Sequence, residues 1–194
     1  MPDLAKIDKS WTLFLDRDGV INHELYLDYV KKYVDFEFYD QVFDAIKLFN
    51  NLFGRVIIVT NQRGVERQLM TEADLLDVHR QMLADIEANG GKIDAIFYCT
   101  SLLNDHPNRK PNPGMAFLAK ETFPEIDFSR SIMVGNNMSD MQFGRNADMF
   151  TVFVKTTNPE LPLPDPAIDL ACENLVSFAN LLREVKDTRS KKSA

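Results

Sequence analysis

The chain has 194 residues, enough for one domain with a substantial core, and its 45% hydrophobic and 26% charged content is that of an ordinary globular protein. A net charge of −7 excludes the field expected of a nucleic-acid or anionic-membrane binder. Two distant cysteines, Cys99 and Cys172, exclude a disulfide framework or a CxxC redox pair, and with no apolar run of membrane-spanning length and no signal-peptide pattern a cytoplasmic protein is expected.

Trp11 to Leu15 is almost wholly apolar and reads as a buried strand. It ends in Asp16-Arg17-Asp18-Gly19, two carboxylates one residue apart. Ile21 to Tyr39 has neither helical nor strand periodicity. It reads as a loop or small flap over the strand end, with room for a short hairpin. Asp40 is expected to cap a helix reaching about Phe53.

Arg55 to Thr60 is a second buried strand, followed by Thr60-Asn61-Gln62-Arg63-Gly64. Thr71 and Asp74 have capping-box spacing and open a helix whose apolar stripe is Leu75, Val78, Met82 and Ile86. Ala95 to Thr100 is the third strand. A loop containing Arg109-Lys110-Pro111 leads to a helix expected to be capped by Asn112 and to run to about Thr122.

Ser131 to Val134 is the fourth strand. After it come Gly135-Asn136-Asn137-Met138-Ser139-Asp140 and a short helix from Ser139. Phe150 to Val154 is the fifth strand, Pro159 to Pro166 a loop, and about Leu175 to Val185 a last amphipathic helix. The mixed basic run Arg183 to Lys192 is expected to fray, from about residue 187 to 194. One domain over 1–194 is expected.

Strands alternating with helices predict an α/β fold with a mostly parallel central sheet, helices on both faces, and strand ends gathered along one edge. That edge would carry Asp16 and Asp18, Thr60 and Asn61, Arg109 and Lys110, and Asn136 and Asp140. Two carboxylates at a strand end can hold a hard cation, or one can attack an electrophile while the other moves protons. Lys110 can neutralise charge on transferring oxygens, and Thr60 can hydrogen-bond them. The set fits phosphoryl transfer.

These motifs resemble those of the haloacid-dehalogenase-like (HAD) phosphatase superfamily. The phrases Phe14-Leu15-Asp16-Arg17-Asp18-Gly19-Val20-Ile21-Asn22, Phe36-Glu37-Phe38, Thr60-Asn61-Gln62 and Arg109-Lys110-Pro111-Asn112-Pro113-Gly114-Met115 resemble the histidinol-phosphate phosphatase and heptose 1,7-bisphosphate phosphatase branch. The resemblance implies a Rossmann-like three-layer fold with little or no cap. It implies Asp16 as nucleophile, Asp18 as acid and base, and Thr60 and Lys110 as phosphoryl-binding catalytic groups. Asn61, Arg109, Asn22, Arg67 and Asn137 are then candidate substrate-binding residues. Mg²⁺ would be held by Asp16, the Asp18 carbonyl, Asn136 and Asp140. The substrate class is a small phosphorylated metabolite, with no nucleic-acid or membrane partner, and the protein is expected to be a monomer or weak homodimer.

Two departures stand out. The fourth motif reads Gly135-Asn136 where the superfamily has Gly-Asp, which lowers the charge of the metal site. Of the three cysteines and one histidine of the branch's zinc loop, only Cys99 and His106 remain, so no structural zinc is expected. Asn136 motivates an alternative, a phosphate-binding or regulatory pseudo-phosphatase. A receiver-type signalling domain is disfavoured, because the acidic pair follows the first strand and no comparable aspartate ends the second or third.

Overall fold

The computed structural model describes residues 3–192. Its frame is one six-stranded, wholly parallel sheet: β1 (Thr12–Leu15), β2 (Arg55–Asn61), β3 (Ala95–Cys99), β4 (Ser131–Gly135), β5 (Phe150–Val154) and β6 (Leu170–Cys172), in the order β3-β2-β1-β4-β5-β6. Between them run α1 (Val42–Leu52), α2 (Glu72–Ala88), α3 (Gly114–Thr122) and α4 (Met138–Asn146), and α5 (Leu175–Lys192) follows β6.

The continuous apolar strands are explained by cover on both faces. Side chains alternate across the sheet. Leu13 and Leu15, Val56 and Ile58, and Ile132 and Val134 pack with α1, α2 and α5 in one core. Phe14, Ile57, Val59 and Met133 point the other way, into a core with α3 and α4. The result is three layers, as expected. The chain winds outward from β1 in both directions, so the order reverses at β1 and β4. A crevice beyond the carboxyl ends of strands forms at such a reversal.

Several local expectations are corrected. Asp40 does not cap α1; Gln41 does, in the left-handed region (φ 61°), and its carbonyl accepts the Asp44 and Ala45 N–H groups. Asn112 does not cap α3. Its amide instead donates to the Asn104 and His106 carbonyls, bracing the loop, and Pro113 stands at the cap. The Thr71–Asp74 capping box is present. The flap holds no hairpin, only a short 3₁₀ turn (Tyr33–Asp35) and a single antiparallel bridge from Asn22 to Phe38. Strand β6 had no sequence signature: three half-buried residues are too few to show a period. Helix α5 runs to Lys192, and Lys186 and Arg189 donate to carbonyls of Ala5 and Ile7. Residues 193–194 lie outside the described residues.

Candidate active site

The crevice between β1 and β4 is a cleft of about 180 Å³. Asp16, Asp18, Thr60, Asn61, Lys110, Asn137 and Asp140 line it, together with Glu24 and Tyr29 of the flap. Five carboxylates (Asp16, Asp18, Glu24, Asp28 and Asp140) face it, against the single ammonium of Lys110.

Two glycines permit close approach in the cleft. Gly19 has φ +81°, and a Cβ there would lie 2.1 Å from Asn136 Nδ2. At Gly135 a Cβ would lie 2.2 Å from Asp140 Cβ. A side chain at Gly19 would push the first and fourth motifs apart, and one at Gly135 would displace Asp140 within the fourth.

Lys110 is at the centre. Its Nζ lies 2.9 Å from Asp16 Oδ1 and 2.6 Å from Asp140 Oδ1, and donates to the Val59 carbonyl at 2.9 Å. Asn61 brackets its backbone: Oδ1 accepts the Lys110 N–H and Nδ2 donates to the Lys110 carbonyl, both at 3.1 Å. Burial lowers the Lys110 pKa, but the Asp140 and Asp16 carboxylates outweigh that and leave it above the ordinary lysine value. Burial, and then the charge of Asp140, push Asp16 up to about 7 in spite of Lys110.

Asp18 has a different environment two residues on. Arg17 Nη2 donates to both of its oxygens at 2.9 Å, Asn22 Nδ2 at 2.9 Å and Gln62 Nε2 at 2.8 Å. Burial works to raise the Asp18 carboxyl; the Arg17 charge and these donors overcome it and hold it below the usual carboxylate range. In the metal-free protein the two aspartates are thus driven in opposite directions, Asp16 toward its neutral form and Asp18 toward its ionised one.

Three of the residues behind Asp18 were not singled out from the sequence. Arg17 is fully buried, with Nη1 3.0 Å from His79 Nε2 and Nη2 3.3 Å from Gln62 Oε1. Gln62 also donates to Thr60 Oγ1 at 2.9 Å, linking the second motif to Asp18. His79 sits at the i+4 position from Leu75, within the apolar stripe of α2, and a histidine on a core stripe was the one available signal. It accepts from Arg17 as a neutral imidazole, its pKa held down to about 3 by burial and then by the Arg17 charge. The unfolded chain titrates this histidine near its ordinary value of 6.5. Between about pH 3 and 6.5 the unfolded state therefore binds the extra proton, and this contribution to stability is lost as pH falls through that window. His79→Gln, which keeps an acceptor for Arg17, is expected to flatten the decline in melting temperature from pH 6.5 to pH 4. Parallel profiles for the two proteins would remove His79 from the account.

Four of the residues assigned to substrate or metal have protein partners in the structure. Asn22 is fully buried and uses Nδ2 on Asp18 and on the His23 carbonyl, which supports Asp18. Asp140 divides its oxygens: Oδ2 accepts the Asn137 N–H at the start of α4 and Oδ1 pairs with Lys110. Arg109 is buried beside the cleft, donating to the Ser101 carbonyl at 3.2 Å. Arg67 stands 5.8 Å from the ring of Tyr29, which is the residue that lines the cleft.

Asn136 is fully buried. Its Nδ2 donates to Thr157 Oγ1 at 2.7 Å and Glu24 Oε2 at 3.2 Å, while its Oδ1 has no hydrogen-bond partner. An orphaned buried oxygen next to an excess of carboxylates fits a divalent cation held by oxygens of mixed kind. Cys99 Sγ lies 3.5 Å from His106 Nδ1, and among the described residues no group of three or more His, Cys, Asp or Glu side chains is arranged to hold a metal. Nor is any described helix long and apolar enough to cross a membrane.

Residues 107–176 match the HAD-hydrolase-like family model. The chain is 40% identical over 146 residues to the D-glycero-alpha-D-manno-heptose-1,7-bisphosphate 7-phosphatase of Campylobacter jejuni, covering 75% of this chain and 83% of that protein. It is 32% identical over 185 residues to the D-glycero-beta-D-manno-heptose-1,7-bisphosphate 7-phosphatase of Escherichia coli K12, covering 89% and 93%. Among solved structures, the D,D-heptose 1,7-bisphosphate phosphatase of B. bronchiseptica complexed with magnesium and phosphate superposes with a TM-score of 0.80 at 28% identity, over 90% of this chain and 98% of that one. The regulatory alternative finds no support among these relatives. With the sheet order, the Asp16–Lys110–Asp140 cluster and the relatives in agreement, the chain belongs to the HAD-like phosphatases, in the branch that includes the heptose 1,7-bisphosphate phosphatases.

Proposed function

We propose that this phosphatase is Mg²⁺-dependent and removes the 7-phosphate of a heptose 1,7-bisphosphate through an aspartyl-phosphate on Asp16. The observation that carries the reading is the Lys110 ammonium seated between Asp16 and Asp140 at the floor of the cleft. Named relatives at 40% and 32% identity supply the substrate class.

The chemistry divides between the two aspartates. An Asp16 carboxylate oxygen attacks phosphorus as the bond from phosphorus to the sugar oxygen breaks. Asp18, protonated for this half, passes its proton to the departing oxygen. The ionised Asp18 then takes a proton from water, whose oxygen attacks phosphorus and frees Asp16 with release of inorganic phosphate. Arg17, Asn22 and Gln62 favour the ionised form, the one the second half needs. Lys110 and Thr60 hold the phosphoryl oxygens. Asp16, the Asp18 carbonyl and Asn136 Oδ1 would hold Mg²⁺, which when bound supplies positive charge to those same oxygens.

A bisphosphate brings a second dianion. Burial, and then the charges of neighbouring guanidiniums including Arg63 and Arg67, hold Arg109 below the ordinary arginine value, and Arg67 stands over the ring of Tyr29 at the cleft. Such a group suits a phosphate remote from the reacting one. Phosphate release should therefore be measured, with and without Mg²⁺, on both anomers of heptose 1,7-bisphosphate, heptose 7-phosphate, hexose phosphates and histidinol phosphate. The bisphosphates are expected to be best. Arg67→Ala is expected to raise KM for the bisphosphate about tenfold, equivalent to about 1.4 kcal/mol, and to leave the monophosphate nearly unchanged. Preference for histidinol phosphate, or equal effects on both sugar substrates, would reject the assignment.

A further inference from the structure

The Asn136 amide is held at one end only. Nδ2 has two acceptors on different segments, Glu24 of the flap and Thr157 of the loop after β5. The same loop also holds the backbone on either side: Asn158 Nδ2 donates to the Asn136 carbonyl at 2.8 Å, and Thr156 Oγ1 donates to the Gly19 carbonyl. These bonds fix which way the amide faces, and they leave Oδ1 buried with nothing to meet. A buried carbonyl oxygen without a partner is costly, so an arrangement that enforces one needs a reason. An amide whose N–H group is drawn to a carboxylate also presents a more electron-rich oxygen.

Resting on the metal-dependent reading above, we propose that Glu24 is a positioning residue for the cation: it turns Asn136 Oδ1 toward the metal and adds to the site the negative charge that the neutral amide does not carry. Glu24 lines the cleft with Asp16 and Asp18 but belongs to the flap. Thr157 shares the orienting role and contributes no charge.

The test is metal affinity, measured on metal-free full-length protein with Mn²⁺ as probe, by loss of the free-ion signal in electron paramagnetic resonance. Glu24→Gln is expected to weaken Mn²⁺ binding about tenfold, in the range seen when an outer-sphere partner is removed. In the Asn136→Asp background, where the carboxylate needs no orienting, the same change is expected to cost less than about threefold. Thr157→Val is the independent variant, with a smaller loss expected. A merely structural role for Glu24 would give equal losses in both backgrounds and a lower melting temperature of the metal-free protein. Equal losses, or Glu24→Gln affinity within about twofold of wild type, would overturn the proposal. If the wild type itself bound no Mn²⁺, the metal-dependent reading would fail first, and that result is distinct from a wild type that binds and a Glu24→Gln variant that binds equally well.

Discussion

Lys110→Met is expected to lower phosphate release by at least about 10²–10³-fold, the loss typical of removing one preorganised charge-stabilising group. Methionine fills much of the same buried space, so the effect is electrostatic. The ammonium donates to the Val59 carbonyl and is ion-paired with both Asp16 and Asp140. Without it, two buried carboxylates face each other with no cation between them. Breaking a buried ion pair by removing one partner costs about 3–5 kcal/mol, and here a single change strands two partners. The metal-free variant should therefore unfold at clearly lower urea concentration. Activity within tenfold of wild type, or an unchanged urea midpoint, would show that Lys110 is not the centre of the cleft.

Asp16→Asn is expected to abolish phosphate release yet stabilise the metal-free protein at alkaline pH. The first half follows from the chemistry, since an amide cannot take the phosphoryl group. The second follows from burial and the Asp140 charge, which raise Asp16 from 3.8 to about 7. Between those values the folded state binds the extra proton. Stability from this group therefore falls as pH rises through the window and is fully withdrawn above pH 7. Asparagine stands in for the neutral carboxyl, so the variant should gain a few kcal/mol at pH 8 and nothing near pH 4. Melting curves at the two pH values, in chelator, test this. A variant less stable than wild type at pH 8 would mean that the bond to Lys110 outweighs the cost of burying the charge.

What could be read from the sequence followed from the period of its strands and the chemistry of their ends. Runs such as Val56 to Val59 require cover on both faces, and in a parallel sheet that leaves only the strand ends for polar residues. Asp16, Asp18, Thr60, Asn61, Lys110 and Asp140 were visible for that reason. The support behind Asp18 was not. Gln62 and His79 meet Arg17 across 45 and 62 residues, and no local pattern encodes such a contact. Asp40 and Asn112 are good capping residues by type, but the chain enters α1 through a left-handed Gln41 and uses Asn112 to brace a loop. Asp140 was ambiguous between a helix-start carboxylate and a functional one, and the geometry shows one oxygen doing each.

That division of Asp140 gives the cleft a mechanical link to α4. The oxygen facing Lys110 and the oxygen closing the first turn of α4 belong to one rigid carboxylate, so a rotation that answers a change at Lys110 also moves the acceptor of the Asn137 N–H. Hydrogen exchange at the Asn137 amide should therefore change when a phosphate engages Lys110, and quicken when Lys110 is absent. A single backbone proton thereby becomes a gauge of occupancy, readable without turnover.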